Sequence, residues 1–423
     1  MKKYVIIGNG VAAVGCIEGI RAADKEGSIT VVSAENYPVY CRPLISYCLE
    51  GKASPDRMNY RPADFYETNG CEVLYGRKAV ALDPQAHTVA LDDGRELPYD
   101  ALCIATGSSP FIPPMEGLES VEKKFPFLTM DDMLSLEQAI TPDSRVLIVG
   151  AGLIGLKCAE GLRDRVAGIT VCDLADRVLS SILDADCASI MQAHLEQNGL
   201  RFLLQDSVTR FAGNTAYFRS GAVETFDVLV LAVGVRANIA LVKDAGGETG
   251  RGIAVDEQMH TSLPDVYAAG DCAEGLDSSC GQKRVLAILP NAYAQGRTAG
   301  RNMAIAGRNT AGEPAAQTDA IPMNAIGFFG LHALTAGSYF TPEQGGELYE
   351  ERGEGTIRRL FTRDGYLTGF ILIGDVARAG IYTALIREKR PLAELDFDLL
   401  KKSPTFLAFG KETRGHFFGG VIQ

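Results

Sequence analysis

Two glycine loops, each launched from an apolar strand and about 140 residues apart, constrain this chain more than any other feature. The first is Tyr4-Val-Ile-Ile-Gly8-Asn-Gly10-Val-Ala-Ala13, and the second is Val146-Leu-Ile-Val-Gly150-Ala-Gly152-Leu-Ile-Gly155. Glycine lets backbone amides approach a pyrophosphate, which then rests on the positive end of the following helix. Roughly 20 residues after each loop comes a second apolar strand, Ile29-Thr-Val-Val32 or Ile169-Thr-Val-Cys172. Near the tips of these strands stand Glu35 and Asp173, acids able to take ribose hydroxyls. A single glycine-rich strand-to-helix turn recurs in ordinary α/β folds. Two, with matching second strands, predict a duplicated βαβ unit that holds two dinucleotides.

At 423 residues the chain is expected to divide into roughly two to four domains, because single cores stop growing beyond about 250 residues. Hydrophobic content of 46% and charged content of 22% suit a globular protein and argue against disorder. A net charge of −12 repels nucleic acid and anionic lipid but steers basic or cationic-faced partners. Met1-Lys-Lys runs directly into a strand too short for the apolar part of a signal peptide, and no transmembrane run follows, so a cytoplasmic protein is expected. The ten cysteines lack the paired spacings of a zinc site or disulfide scaffold, in keeping with reduced thiols. The five histidines (87, 194, 260, 332 and 416) are scattered, and no metal site is expected.

The first unit is predicted as strand 4–7, helix 11–24 and strand 29–32, followed by the loop Glu35-Asn-Tyr-Pro-Val-Tyr-Cys41-Arg42-Pro43. Short strands are expected at 72–75, 78–82 and 87–91. An apolar strand then ends in the small-residue turn Ala105-Thr106-Gly107, and Ile112-Pro-Pro114 reads as a crossing linker. The second unit begins near Asp143 and closes at Val233-Gly234-Val-Arg236-Ala-Asn238. The chain then returns to the first domain through Asp265-Val-Tyr-Ala-Ala-Gly270-Asp271 and a helix beginning near Asn291. A last region, 321–423, shows glycine-bounded strands (324–329, 356–362, 367–373) and helices near 378–387 and 394–401.

Gly8-x-Gly10, Ala105-Thr106-Gly107, Gly150-x-Gly152-x-x-Gly155 and Asp265-Val-Tyr-Ala-Ala-Gly270-Asp271 occur in an order that resembles the FAD-dependent pyridine nucleotide-disulfide oxidoreductases. Arg42-Pro43 resembles in particular the branch of NADH:rubredoxin reductases and nitrite-reductase flavin subunits. The resemblance implies an α/β, glutathione-reductase-like fold with two Rossmann-like domains. FAD would occupy 1–112 and 236–320, NAD(P)H 113–235, and an α+β interface domain 321–423, which in relatives covers the flavin face or forms a homodimer contact. It further implies that Gly8, Gly10 and Ala13 hold the FAD pyrophosphate, with Glu35 on the adenosine ribose and Gly270-Asp271 at the ribityl or phosphate region. Ala105, Thr106 and Gly107 would pack near the cofactor, and the helix at Asn291 would point its amides at the flavin. Arg42, beside Pro43, would lie against the isoalloxazine; the other reading is a solvent-exposed arginine ahead of a helix. Gly150, Gly152, Gly155, Asp173 and Gly234 would hold the nicotinamide cofactor. Asp173 favours NADH, since a carboxylate repels the extra phosphate of NADPH, although Arg177 could soften that preference. Many relatives carry glutamate beside the nicotinamide where this chain has Lys157, which reads either as a change of charge there or as a helix-surface lysine.

Electrons must leave the flavin. Dithiol disulfide reductases need Cys-x4-Cys or Cys-x2-Cys, and neither spacing occurs. The leading expectation is hydride transfer from NADH to FAD followed by delivery of electrons to a small redox protein, rubredoxin or another iron-sulfur carrier. The alternative is a single-cysteine NADH oxidase or coenzyme A disulfide reductase using Cys41, with Cys48 read as a buried small residue on the next helix. A non-catalytic, nucleotide-sensing flavin scaffold is a third reading.

Overall fold

A computed structural model describes residues 1–306 and 313–410, so His416 lies outside the described residues. The chain divides into two compact units. Met1–Ser181, Leu195–Leu276 and Lys283–Thr318 form the first, and Ile182–His194, Asp277–Gln282 and Asp319–Gln423 the second.

In the first unit, Lys3–Ile7 is the middle strand of a five-stranded parallel sheet. Ser28–Ser33 and Cys71–Tyr75 lie on one side, Ala101–Ile104 and Val266–Ala268 on the other. A second five-stranded parallel sheet is centred on Arg145–Val149. It has Gly168–Cys172 and Leu200–Leu203 on one side and Val228–Leu231 and Lys124–Pro126 on the other. Both sheets thus put the strand that feeds a glycine loop at the centre, the strand leading to an acid next to it, and the returning strand on the opposite flank. A central parallel strand is covered on both faces and therefore reads as an unbroken apolar run. Val5, Ile6, Leu147 and Ile148 are at most 2% exposed.

The two passages between these sheets run side by side. Ser108–Pro110 pairs antiparallel with Val235–Ala237, and beyond it Asn238 Nδ2 donates to the Thr106 carbonyl at 2.8 Å while Thr106 Oγ1 donates to the Asn238 carbonyl at 3.0 Å. Beside the first sheet, helix Val11–Ala23 lies parallel to helix Leu289–Ile305 with glycines facing both ways. A Cβ on Gly296 would stand 2.0 Å from the Ala12 carbonyl oxygen, and one on Gly300 2.0 Å from that of Cys16. The helices touch backbone to backbone, an approach only glycine permits.

The second unit holds a five-stranded antiparallel sheet in the order Met323–Phe328, Leu331–Gly337, Tyr366–Ile373, Thr356–Arg363, Gly346–Gly353. Helices Gly380–Arg387 and Phe397–Lys402 share its core, built on Phe370, Tyr382, Leu385 and Leu400. Arg359, its side chain 9% exposed, is ion-paired with Asp184, with Asp186 at 2.7 Å and, through Nε, with Glu350 at 2.6 Å. Arg352 joins Asp186 and Glu350. Asp186 is held below the usual carboxylate range first by Arg359 and then by Arg352, and Glu350 first by Arg352. A carboxyl whose folded pKa is lowered stabilises the fold above its unfolded value, roughly pH 4, and loses that contribution as the pH falls through the folded value. Thermal unfolding of Arg359→Met should therefore show its largest Tm loss at neutral pH, shrinking as the carboxylates protonate. A Tm deficit that stays constant on acidification would contradict this account.

Candidate functional site

Gly8 closes the central strand with φ +109°, and a Cβ there would stand 2.0 Å from the Ala105 carbonyl oxygen. Its amide donates to Val32 at 2.8 Å, which ties the loop to the neighbouring strand. Gly10 caps helix Val11–Ala23 with no side-chain hydrogen bond, and a Cβ on it would meet nothing within 4 Å. Ala13, fully buried, lies in that helix's first turn. The helix therefore begins with free amides under open space, the arrangement a phosphate needs. Gly107, at the end of the small-residue turn, faces open space too.

The sequence string ending in Asp271 arrives at the same place. Gly270 takes φ +83° and donates its amide to Gln295 Oε1 at 2.8 Å, while its missing Cβ clears Ala12. Burial pushes the Asp271 carboxyl up, offset in part by the Arg42 guanidinium and a hydrogen bond with Ser108. Asn291, 2% exposed, sits in the first turn of Leu289–Ile305, another helix start without a side-chain cap. Uncapped amides, clear ground above glycine and a covered acid make a donor set that suits the phosphates and polyol of FAD.

Glu35 and Arg42 are placed together. Arg42 Nη2 is 2.6 Å from Glu35 Oε1, and Arg42 Nη1 donates to the Leu128 carbonyl at 3.2 Å. Arg42 is therefore not a free surface arginine: it is ion-paired with Glu35, and its charge also lowers the Asp271 carboxyl. Tyr40, which the sequence reading passed over, is the organiser. Its hydroxyl donates to Glu35 Oε2 at 2.6 Å and accepts from Arg42 Nη1 at 2.9 Å and from the Met130 amide at 3.0 Å. Burial pushes that hydroxyl's pKa well up, so it remains a donor. Its only signal in the sequence was an aromatic just ahead of Cys41-Arg42-Pro43. Pro43 lies inside the short 3-10 turn Arg42–Leu44 that leads into helix Ile45–Leu49.

The second loop repeats the first. Gly150 takes φ +118° with its missing Cβ 2.2 Å from the Ala232 carbonyl oxygen. Gly152 caps helix Leu153–Leu162 under open space, and Gly155 lets that helix close on Gly150. Asp173 Oδ2 accepts the Ala151 amide at 2.7 Å and Oδ1 the Ala175 amide at 2.8 Å, which fixes the carboxylate beside the loop. Gly234 takes φ +111° and also faces open space. Arg177 pairs with Asp176 at 2.6 Å. Among the described residues no group of histidines, cysteines and acids could hold a metal ion.

Residues 2–296 match the sequence model of the family described as pyridine nucleotide-disulphide oxidoreductase. The chain belongs to that family. It is 33% identical over 404 residues, 93% of each chain, to the NADH-dependent phenylglyoxylate dehydrogenase subunit epsilon of Aromatoleum evansii. It is 32% identical over 394 residues to the NADH oxidase of Methanocaldococcus jannaschii, covering 88% of this chain and 87% of the relative. The solved covalent putidaredoxin reductase-putidaredoxin complex superposes with a TM-score of 0.85 over 96% of this chain and 97% of that one; at 22% identity this shows the fold. This pyridine nucleotide-disulphide oxidoreductase is thus a flavin-dependent NAD(P)H enzyme that uses FAD and NADH.

Despite the family's name, the oxidoreductase has no disulfide among its described residues, and all ten cysteines are free. Cys41 is half-buried, and burial raises its thiol pKa, with only the Leu44 amide acting the other way. Cys48 is 7% exposed with its sulfur 3.0 Å from that of Met58, and its thiol is likewise raised by burial. Redox thiols need the opposite, a cation or helix start that stabilises the thiolate. No helix of the described residues is long and apolar enough to cross a membrane.

Proposed function

We propose that this enzyme takes hydride from NADH onto FAD and passes the electrons to a small electron-carrier protein of the rubredoxin or iron-sulfur kind. The observation that supports a flavin-only route is the setting of Cys41: burial raises its thiol pKa, and the adjacent guanidinium of Arg42 is ion-paired with Glu35. Bound FAD supplies a ring that accepts hydride and can release electrons singly. The chain's own part is to hold and orient. Gly8, Gly10, Ala13 and the start of Val11–Ala23 carry the FAD phosphates. Glu35, aimed by Tyr40 and Arg42, takes the adenosine ribose. Ala105, Thr106, Gly107, Gly270, Asp271 and the helix start at Asn291 line the remaining length. Gly150, Gly152, Gly155, Asp173 and Gly234 hold NADH. In this reading 1–112 with 236–320 is the FAD domain, 113–235 the NADH domain and 321–423 an interface domain.

The names of two relatives frame the choice of acceptor: one is a subunit of a larger dehydrogenase, the other an NADH oxidase. The oxidase name favours a second reading, in which Cys41 is the redox thiol of an NADH oxidase or coenzyme A disulfide reductase. An anaerobic NADH titration followed by visible absorbance separates the two. The flavin-only route expects simple bleaching, with Cys41→Ser retaining at least about half of wild-type turnover. A long-wavelength band that persists while the flavin stays oxidised, and is lost in Cys41→Ser, would transfer the role to the thiol.

A further inference from the structure

Helix Leu153–Leu162, which starts at the second glycine loop, crosses helix Ile45–Leu49, which follows Cys41-Arg42-Pro43. A Cβ on Gly161 would stand 2.9 Å from the Ser46 carbonyl oxygen. One turn nearer the glycine loop, Lys157 leans over this crossing, its Nζ 2.6 Å from Glu160 Oε2 and 5.4 Å from the centre of the Tyr47 ring. The charged pair is mostly covered, at 22% and 13% side-chain exposure, while Tyr47 remains 41% exposed.

Helix stability does not account for this pair. Along a helix the favourable order is acid before base, with cations toward the C-terminal end. Lys157 precedes Glu160 and sits in the second turn, so both preferences are reversed. Covering the pair also removes hydration that a surface pair keeps. The placement instead sets the ammonium on the side of its carboxylate nearer the second glycine loop.

Hydride must pass from nicotinamide to flavin, so the nicotinamide ring belongs between the two loops, along this crossing. The ring is neutral in NADH and cationic in NAD+. We infer that Lys157 sets the preference between the two: its ammonium opposes the cationic ring of NAD+ and leaves the neutral ring of NADH undisturbed. Glu160 tempers the effect, and Tyr47 confines the ammonium to the crossing. The consequence is rapid loss of the oxidised nucleotide and weak product inhibition. The inference rests on the assignment of Gly150, Gly152 and Asp173 to NADH.

The test is equilibrium binding to FAD-loaded, oxidised protein of NAD+ and of tetrahydro-NAD, an unreactive analogue whose ring is neutral. Lys157→Gln should tighten NAD+ about tenfold, the size expected of one partly screened charge. Tetrahydro-NAD should change by less than about twofold. Glu160→Gln, which removes the carboxylate charge beside Lys157, should weaken NAD+ severalfold. An unchanged ratio of the two affinities in both variants overturns the inference. Gly152→Val tests the underlying assignment: if that variant binds both nucleotides normally, the assignment falls and the inference with it. If Gly152→Val loses both while Lys157→Gln leaves the ratio unchanged, the inference alone falls.

Discussion

Gly152→Val is expected to yield a folded, yellow protein that no longer reacts with NADH at ordinary concentrations. The backbone at Gly152, φ −84° and ψ −174°, is open to any residue, and an added Cβ meets no atom within 4 Å, so the fold is expected to survive. What the valine would fill is the space above the uncapped amides of Leu153–Leu162. Losing two hydrogen bonds to a charged phosphate, each worth about 1.5–3 kcal/mol, lowers kcat/KM by at least about a hundredfold. FAD should be retained, because its loop is the other one. Gly10→Val is the mirror experiment and should give folded but colourless protein. Stopped-flow bleaching with NADH decides the matter, and a Gly152→Val protein that bleaches at the wild-type rate would remove the second loop from the cofactor site.

Gly300→Ala, a smaller change, should do more damage to the fold. Its methyl would stand 2.0 Å from the Cys16 carbonyl oxygen, so the two helices must part by more than an ångström along their shared seam. Overpacking of that kind against backbone, which cannot rotate away, costs about 3 kcal/mol or more. Since both helices start beside the first glycine loop, which is proposed to hold FAD, FAD affinity should fall together with Tm. A variant that melts within a degree or two of wild type with full FAD content would show that the seam yields more readily than its geometry indicates.

The contrast between Gly152 and Gly300 marks what was legible from residues alone. Gly8 and Gly150 had to be glycine because of left-handed φ and contact with a neighbouring strand, and such demands recur at fixed spacing. Both loops, their strands and the returning Asp271 segment were accordingly readable. Gly296 and Gly300 serve a partner helix nearly 290 residues away, and no local pattern announces that. Tyr40 escaped notice for a similar reason: its role exists only once Glu35, Arg42 and the Met130 amide have been brought together. In the second unit, Gly346–Gly353 was missed because an edge strand faces solvent and reads as charged loop, its sequence being Gly-Glu-Leu-Tyr-Glu-Glu-Arg-Gly. Leu331–Gly337, short and rich in small residues, offered little alternation to read. Most of helix Ala185–Gln197, which falls inside the stretch 113–235 expected for NAD(P)H, groups with the second unit, where Arg359 collects Asp184 and Asp186.

The pairing of Val11–Ala23 with Leu289–Ile305 also dictates an order of maturation during synthesis. The strands around the second loop lie together between Lys124 and Leu231, interrupted only by Ile182–His194, which groups with the second unit. The first loop, although made earliest, must wait for Leu289–Ile305 before its helix has the neighbour it was shaped for. A nascent chain stalled short of residue 289 would hold all five strands around the second loop and an open seam beside the first. On the proposed assignment of that first loop, flavin capture is therefore a late event.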